Sequence, residues 1–392
     1  MNHAVIVNAK RTPVGSFQGE LSTLSAPELG AKVIKNILST SSISVDAIDE
    51  VIMGNVLSSG IGQAPARQAA IYSGLPNTVE CLTINKMCGS GLKAVMLGEQ
   101  AIKAGDAHVV IAGGMESMTN APYLLPKARA GFRLGHGKMV DSIIHDGLWD
   151  AYNDIHMGNC AEICARDRNY TREEQDVLAI ESYQRAQKAN SQDWFRDEIV
   201  PIEVKMRKGN PLIVDRDEEP TRAKFEKIPK LRPAFEKDGT VTAANASKIN
   251  DGAAAILIMS ETKANELGLI PLVKIMGQAS AAHAPEWFTT APGKAISKVL
   301  DKTGLSADDI DLWEINEAFA PVAMAAMDDF NLSRDKVNIQ GGAIAIGHPI
   351  GASGARILTT LIHAMLRIGA KRGLATLCIG GGEASAIIVE TL

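Results

Sequence analysis

Residues 85–94 read NKMCGSGLKA and place a cysteine at the corner between a strand and a helix. A β-prone run ends just before this stretch, and a helix-forming run covers residues 92–103. This succession of strand, turn and helix indicates an α/β protein. Because unpaired N–H groups and partial positive charge gather at a helix start, a thiol there is readily held as a thiolate. We therefore interpret Cys88 as a nucleophile, with Gly89 and Gly91 keeping side chains away from its sulfur.

Two more reactive side chains stand at similar corners near the C-terminus. In residues 341–354 (GGAIAIGHPIGASG), His348 lies among glycines just before a helical run at 355–368. In residues 374–382 (LATLCIGGG), a buried strand reaches Cys378 and is followed by three glycines. A cysteine nucleophile needs a neighbouring base, so three such side chains at strand ends favour one shared catalytic site over three inert core residues.

These three stretches, together with residues 316–320 (NEAFA), resemble the four active-site motifs of the thiolase family, in that family's order. The resemblance extends over nearly the whole chain and implies the duplicated thiolase fold, in which two halves meet at a shared active site. Four further stretches are similar as well: 11–13 (RTP), 113–118 (GGMESM), 156–158 (HMG) and 239–247 (GTVTAANAS).

An internal repeat supports a duplicated chain independently of this resemblance. The hexapeptide SVDAID at 44–49 recurs as SADDID at 306–311, and each copy follows a strand and an amphipathic helix. We predict two β-α-β-α-β halves with pseudo-two-fold symmetry, spanning residues 1–269 and 270–392, each with a mostly parallel sheet. Two further pairs of segments match: 90–94 with 353–356, and 109–114 with 376–381.

Residues 119–248 interrupt the first half with a polar stretch that is broken by prolines. The capping-box sequence TREE, which starts at Thr171, predicts a helix through Asn190, so we expect an inserted, folded loop subdomain. Residues 205–232 hold nine Lys or Arg against five Asp or Glu. The thiolase resemblance gives this basic excess a meaning, because thiolases use their inserted loop domain to hold coenzyme A.

The resemblance also implies which residues contact the substrate. Ser247 and His156 match the motifs that contact pantetheine, and Arg222 is the candidate for the nucleotide end. Phe288 stands where many short-chain thiolases carry methionine and where relatives that accept a 2-methyl branch tend to carry phenylalanine. The alternative is that Phe288 is only a core residue next to the acyl pocket. The remaining acyl or CoA contacts implied are Met157, Leu148, Ala318 and Phe319.

The activity implied by the resemblance is a reversible Claisen condensation of two acetyl-CoA to acetoacetyl-CoA and CoA. In the family's pattern Cys88, deprotonated by His348, carries the acyl group, and Cys378 removes the α-proton of the second acetyl-CoA. His348 with a water held by Asn316 forms one oxyanion site, and the backbone N–H groups of Cys88 and Gly380 form the other. A broader-chain 3-ketoacyl-CoA thiolase of fatty-acid degradation is the alternative. Family members are dimers or tetramers, so we expect a homo-oligomer, with CoA as substrate and product and with no cofactor or metal.

Composition and charge narrow the possible partners. The 392-residue chain is 46% hydrophobic with a net charge of −5, so nothing in it favours nucleic acid or an anionic membrane. Residues 1–7 are too short and too soon polar for a signal peptide, and no apolar run approaches the ~18 residues of a membrane span. Five cysteines without paired spacing argue for reduced thiols. We therefore expect a cytoplasmic protein that binds acyl-CoA.

Three alternatives stay open on the residues alone. His156, Cys160 and Cys164 would stack three metal ligands on one helix, although no fourth ligand is evident. Residues 89–94 satisfy the G-x-G-x-x-A pattern of an NAD(P)-dependent oxidoreductase, but they lie outside the first βα unit and lack the acidic residue about 20 positions on. A non-catalytic binding protein of the same fold would not need all three reactive side chains.

Overall fold

The structure is a computed structural model that describes residues 3–392. The first half begins with alternating strands and helices that build one side of a large sheet. They are β1 (Ala4–Arg11), β2 (Gly15–Ser16), α1 (Ala26–Ser41), β3 (Glu50–Gly54), α2 (Pro65–Ser73), β4 (Glu80–Ile84), α3 (Ser90–Ala104) and β5 (Val109–Ser117).

The inserted part follows β5 and contains three two-stranded ribbons and two helices. As predicted, a capping box starts the second helix, because the Thr171 hydroxyl and the Glu174 carboxylate each accept a backbone N–H of the other residue. The elements are β6 (Tyr123–Leu124), β7 (Val140–Asp141), β8 (Trp149–Asp150), β9 (Ile155–His156), α4 (Met157–Asp167), α5 (Arg172–Ser191), β10 (Ile202–Val204) and β11 (Leu212–Val214).

The chain then returns to the large sheet and builds its second side. The first half closes with β12 (Asn250–Ser260) and α6 (Glu261–Glu266). The second half contains β13 (Val273–Ala282), α7 (Ala291–Thr303), β14 (Leu312–Ile315), α8 (Ala320–Phe330), α9 (Ala343–Ile346), α10 (Ile350–Ile368), β15 (Arg372–Ile379) and β16 (Glu383–Thr391).

The order of the strands confirms the predicted duplication. The sheet runs β14-β15-β16-β13-β1-β12-β5-β3-β4, and β2 pairs with β12. Outward from the central β1–β13 pair, each side has the same succession: two antiparallel pairings followed by a parallel one. The first strands of the two halves join antiparallel at Val5–Lys274 and Ile6–Val273, which is where a pseudo-two-fold axis must pass.

The prediction of a mostly parallel sheet in each half is wrong, since each half is mixed and the two form one sheet. The cause is visible in the second half, where β15 and β16 form a hairpin across a tight turn. Gly381 and Gly382 take positive φ values of 91° and 81° there, and so short a connection can only join antiparallel strands. The equivalent connection in the first half, between β5 and β12, carries the whole inserted part.

The repeated hexapeptide has a structural role that is the same in both halves. Asp49 accepts the backbone N–H groups of His108 and Val109, where β5 begins. Asp311 accepts those of Lys371 and Arg372, where β15 begins. β15, which begins at residue 372, is therefore the equivalent of β5, which begins at residue 109. The pairing predicted from sequence, 109–114 with 376–381, was displaced by four residues from this match.

Helices α3 and α10 pack against each other at the junction of the halves. A Cβ at Gly91 would lie 2.8 Å from the backbone N of Ala355, and one at Gly354 would overlap the backbone of Leu92. Gly89 likewise has no room for a side chain beside Ile379. These glycines therefore permit close packing. That Gly89 and Gly91 keep side chains away from the Cys88 sulfur stays a prediction. Within residues 3–392 no helix is both long and apolar enough to cross a bilayer.

Candidate active site

A cavity of about 550 Å³ lies where the two halves and the inserted part meet. Eleven of the thirteen site residues predicted from sequence line it, while Asn316 and Cys378 lie immediately behind its wall. The lining residues among those predicted are Cys88, Leu148, His156, Met157, Arg222, Ser247, Phe288, Ala318, Phe319, His348 and Gly380.

The turn that carries Cys88 is tightly tied by local hydrogen bonds. Met87 has a positive φ of 46°, which is strained for a residue with a side chain. Its N–H donates to the Asn85 side chain (2.9 Å), and its carbonyl accepts the Ser90 hydroxyl (2.6 Å). The Lys86 N–H donates to that same hydroxyl oxygen (2.9 Å). The side chain of Cys88 is thereby delivered to the cavity directly before α3.

The thiolate expected from the helix start is not the resting state of Cys88. Burial raises the pKa of this thiol to about 11, against the lowering effect of the backbone N–H groups of Gly380 and of Cys88 itself, which face the sulfur. Desolvation of the charged form outweighs those donors. Cys88 is therefore a neutral thiol near pH 7, and it needs a base in order to react.

His348 supplies an uncharged imidazole on the same cavity. Burial, assisted by the nearby Arg356 charge, lowers the pKa of His348 to about 3. The Nδ1 atom lies 2.6 Å from the Ser353 hydroxyl, whereas Nε2 has no hydrogen-bond partner within the part of the chain that the structure describes. A buried neutral histidine with one free ring nitrogen is suited to accept a thiol proton.

Cys378 and Asn316 form the layer behind the cavity wall. Cys378 is fully buried on β15, in an apolar cluster with Met157 and Phe319. Burial, together with the proximity of Cys88, raises the pKa of the Cys378 thiol well above its ordinary value. Asn316, which follows β14, places its amide nitrogen 3.5 Å from Nδ1 of His348.

A buried carboxylate joins the loop after β3 to the segment of the base. Glu116, near the end of β5, accepts the backbone N–H groups of Val56, Leu57 and Gly351. Gly351 belongs to the first turn of α10, a helix that begins directly after His348 and Pro349. The loop after β3 and the start of α10 are thus fixed to one side chain.

Aromatic rings line part of the cavity wall. His156 stacks on Phe235 at 4.8 Å, and Phe319 meets Phe235 edge to face at 6.0 Å. Phe288, only 3% exposed, packs edge to face on Phe319 at 6.1 Å. Such a wall suits an apolar pantetheine arm and a small acyl group. Phe235 belongs to none of the sequence motifs and to no periodic pattern, so it could not have been predicted from the sequence.

One rim of the cavity is rich in basic side chains, with Glu219 among them. Arg222 lies there, 55% exposed and paired with Glu218 at 3.0 Å. Lys248 lines both this cavity and an adjoining one of about 210 Å³, which Lys224 and Lys227 also line. Burial lowers the pKa of Lys248 to about 8. Lys248 was not predicted from the sequence, although its place directly after Ser247 was a usable signal.

The geometry removes two of the alternatives considered from sequence. His156 caps α4 with Nδ1, and no group of three or more potential metal ligands occurs within residues 3–392. The start of α3, where a pyrophosphate would have to bind in a dinucleotide site, is covered by α10 through Gly91. Neither a metal centre nor a dinucleotide-binding turn is formed by these residues.

Acyl transfer through a cysteine is the chemistry that this arrangement supports, because a thiol, a neutral imidazole and inward-facing N–H donors share one largely apolar cavity. Two family models match the chain: "Thiolase, N-terminal domain" over residues 4–262 and "Thiolase, C-terminal domain" over residues 269–391. The chain belongs to the thiolase family.

Relatives that match over the full length are acetyl-CoA acetyltransferases. The chain is 54% identical to the acetyl-CoA acetyltransferase of Pseudomonas aeruginosa, over 99% of both chains. It is 52% identical to the acetyl-CoA acetyltransferase of Cupriavidus necator over the full length of both. The crystal structure of the Bacillus anthracis acetyl-CoA acetyltransferase superposes with a TM-score of 0.98, at 41% identity, covering 100% of this chain and 99% of that one.

Proposed function

We propose that this thiolase is an acetyl-CoA C-acetyltransferase, which reversibly condenses two acetyl-CoA into acetoacetyl-CoA and CoA. The observation that carries the proposal is the convergence of Cys88, His348 and Gly380 on one cavity with a neutral thiol and a neutral base. The acetyl-CoA substrate is supported by the full-length relatives named acetyl-CoA acetyltransferase, to which the chain is 54% and 52% identical.

In the first half-reaction Nε2 of His348 takes the proton of Cys88 as the sulfur attacks the thioester carbonyl. The N–H groups of Cys88 and Gly380 stabilise the tetrahedral oxyanion, and removing one such donor typically costs ~3 kcal/mol of barrier. The C–S bond to CoA then breaks, the imidazolium returns the proton to the CoA sulfur, and the acetyl group stays on Cys88 as a thioester. The donors that face the sulfur support this assignment.

In the second half-reaction Nε2 of His348 takes the proton of the Cys378 thiol, and the Cys378 thiolate removes the α-proton of another acetyl-CoA. The enolate oxygen is stabilised by the Nε2–H of the His348 imidazolium formed in this way and by a water held by Asn316, and the enolate carbon attacks the acetyl group on Cys88. Acetoacetyl-CoA forms as the bond to the Cys88 sulfur breaks, the imidazolium of His348 gives its proton to that sulfur, and Cys378 keeps the α-proton as a thiol. Burial of Cys378 supports this role, because a thiol with a raised pKa gives a strong base when deprotonated.

The inserted subdomain at 119–248 binds most of coenzyme A. This subdomain is part of the N-terminal half (1–269), and the C-terminal half (270–392) lies on the other side of the cavity. Leu148, His156, Met157 and Ser247 contact pantetheine, and Ala318, Phe319 and Phe288 contact the acyl end. Arg222 meets the nucleotide end, at a rim where basic residues gather. An ion pair to a phosphate at such a rim is strengthened by partial burial.

The proposed chemistry uses only protein groups and CoA, so no cofactor or metal enters it. Both reactive cysteines must stay reduced, which supports a cytoplasmic setting. We also propose a homo-oligomer, dimer or tetramer. Its support is β4, which ends the sheet with Leu82 42% exposed, and the helix α2 packed against β4, in which Tyr72 is 59% exposed. Light scattering on the purified protein measures the assembly size, and a monomer would contradict this part.

A steady-state thiolysis assay with CoA tests the proposal. Acetoacetyl-CoA should be cleaved with a higher kcat/KM than longer straight-chain 3-ketoacyl-CoA substrates. A preference for the longer chains would indicate the degradative thiolase instead. Oxidation of NAD(P)H with a small carbonyl, without thiolysis, would indicate an oxidoreductase.

A further inference from the structure

Two buried serines occupy one duplicated position and contact the two segments that carry Cys88 and His348. Ser90 is the first residue of α3, and Ser353 lies in the first turn of α10. They correspond in the repeat, because SGLKA begins at the one and SGAR at the other. Both are fully buried, and neither lines the cavity.

The hydrogen bonds of Ser353 determine which ring nitrogen of His348 carries the proton. The single hydroxyl hydrogen of Ser353 is donated to the Pro349 carbonyl at 2.9 Å. The arrangement that satisfies both contacts of this hydroxyl has an Nδ1–H donating to its oxygen across 2.6 Å. The Asn316 amide is 3.5 Å from Nδ1, too far to compete. Nε2 is left with its lone pair.

The hydrogen bonds of Ser90 have the same form around the nucleophile. Its hydroxyl hydrogen goes to the carbonyl of Met87, and its oxygen accepts the N–H of Lys86. The residue held in this way has a positive φ and directly precedes Cys88. Strained backbone persists only where its surroundings fix it, so this hydroxyl holds the turn that aims the sulfur.

We propose that Ser90 and Ser353 are positioning residues, one for the nucleophile Cys88 and one for the base His348, derived from a single serine of the ancestral half. Ser353 fixes the imidazole as the Nδ1–H tautomer, with Nε2 ready for the thiol proton, and Ser90 fixes the turn of Cys88. The inference rests on the proposed function, since both residues act through groups assigned to acetyl transfer.

The tautomer is tested directly by nitrogen NMR of histidine-labelled enzyme. In the wild type, His348 should show a protonated Nδ1 and an unprotonated Nε2 near pH 7. In Ser353→Ala the two tautomers should mix, and kcat for thiolysis should fall about 10²-fold or more with little change in KM. An Nε2–H tautomer in the wild type, or an unchanged kcat in Ser353→Ala, would overturn the proposal.

Two variants separate the serines, a third tests rescue, and a fourth serves as the control. Ser353→Ala should keep the wild-type rate of Cys88 alkylation at high pH, where no base is needed, whereas Ser90→Ala should lose both alkylation and acetyl transfer. Ser90→Thr should restore part of each rate. Ser73→Ala removes a buried hydroxyl that also donates to a helix carbonyl, that of Ala70, and should keep wild-type kcat.

The remaining outcomes are decisive as well. Equal loss of alkylation in Ser353→Ala and Ser90→Ala, or loss of activity in Ser73→Ala, would show general damage to folding and refute the positioning roles. A wild-type enzyme that never becomes acetylated by acetyl-CoA would refute the proposed function itself. An acetylated wild type beside a fully active Ser353→Ala would refute only the inference.

Discussion

The backbone N–H of Gly380 faces the sulfur of Cys88, so the second half of the duplicated chain supplies a donor to the nucleophile of the first. Gly380 follows β15, and Cys88 follows β4, at opposite ends of the chain. The active site therefore exists only when the two halves are joined. Glu116 and the α3–α10 packing hold that junction.

Alkylation of Cys88 should depend steeply on pH. Because the pKa of this thiol is raised to about 11, its thiolate fraction, and with it the rate with iodoacetamide, should rise about tenfold per pH unit between pH 7 and 9. Acetyl-CoA should protect, and Cys88→Ser should take up no label at the active site. A rate that is constant between pH 6 and 9 would instead indicate a resting thiolate, and a label on Cys160 or Cys164 would misplace the nucleophile.

The glycines of the junction and of the cavity should respond differently to a methyl group. Gly91→Ala should lower the free energy of unfolding by about 1–3 kcal/mol, because its Cβ would press on the α10 backbone. Gly380→Ala is the matched control, since a Cβ there would stay 3.6 Å or more from its neighbours and should leave stability unchanged. Chemical denaturation measures both; equal stability of the two variants would refute the packing role of Gly91.

Phe288 should influence the choice of acyl group. It lines the cavity against Phe319, so a change of shape there alters the acyl pocket. We expect 2-methylacetoacetyl-CoA to be cleaved within about tenfold of the rate for acetoacetyl-CoA, and Phe288→Met to reduce the branched substrate selectively, by about 10- to 200-fold. Equal loss on both substrates, or no cleavage of the branched one by the wild type, would remove this prediction without touching the thiolase assignment.

The basic rim should bind the phosphates of CoA and should make no contact with the acyl group. Arg222→Met and Lys248→Met should each raise KM for acetyl-CoA, with no change for S-acetyl-N-acetylcysteamine, which lacks phosphates. Since the pKa of Lys248 is lowered to about 8, its charge is lost as pH rises through 8, and KM for acetyl-CoA should increase there in the wild type but not in Lys248→Met. Equal effects on both thioesters would mean damage to the cavity.

Sequence was sufficient for the parts of the molecule that repeat or that match a motif. The hexapeptide pair predicted the duplication because each aspartate caps an equivalent strand. The mixed sheet was not predicted, because the direction of a strand relative to its neighbour depends on how the folded chain connects the two. The pattern of strands and helices in the sequence does not give that connection. The protonation state of Cys88 was also missed, because burial is set by residues distant in sequence, such as Ile350 and Met118 of the cavity wall.

Mass spectrometry of the Cys378→Ser protein after incubation with acetyl-CoA tests the central claim, a Cys88 acyl-enzyme whose formation does not need the second cysteine. This variant should gain the mass of one acetyl group, located on Cys88 by peptide mapping, while condensation falls by several orders of magnitude. Cys88→Ser should gain none and lose both steps. A folded Cys378→Ser protein that never gains acetyl mass, or that carries it on a residue other than Cys88, would contradict the account.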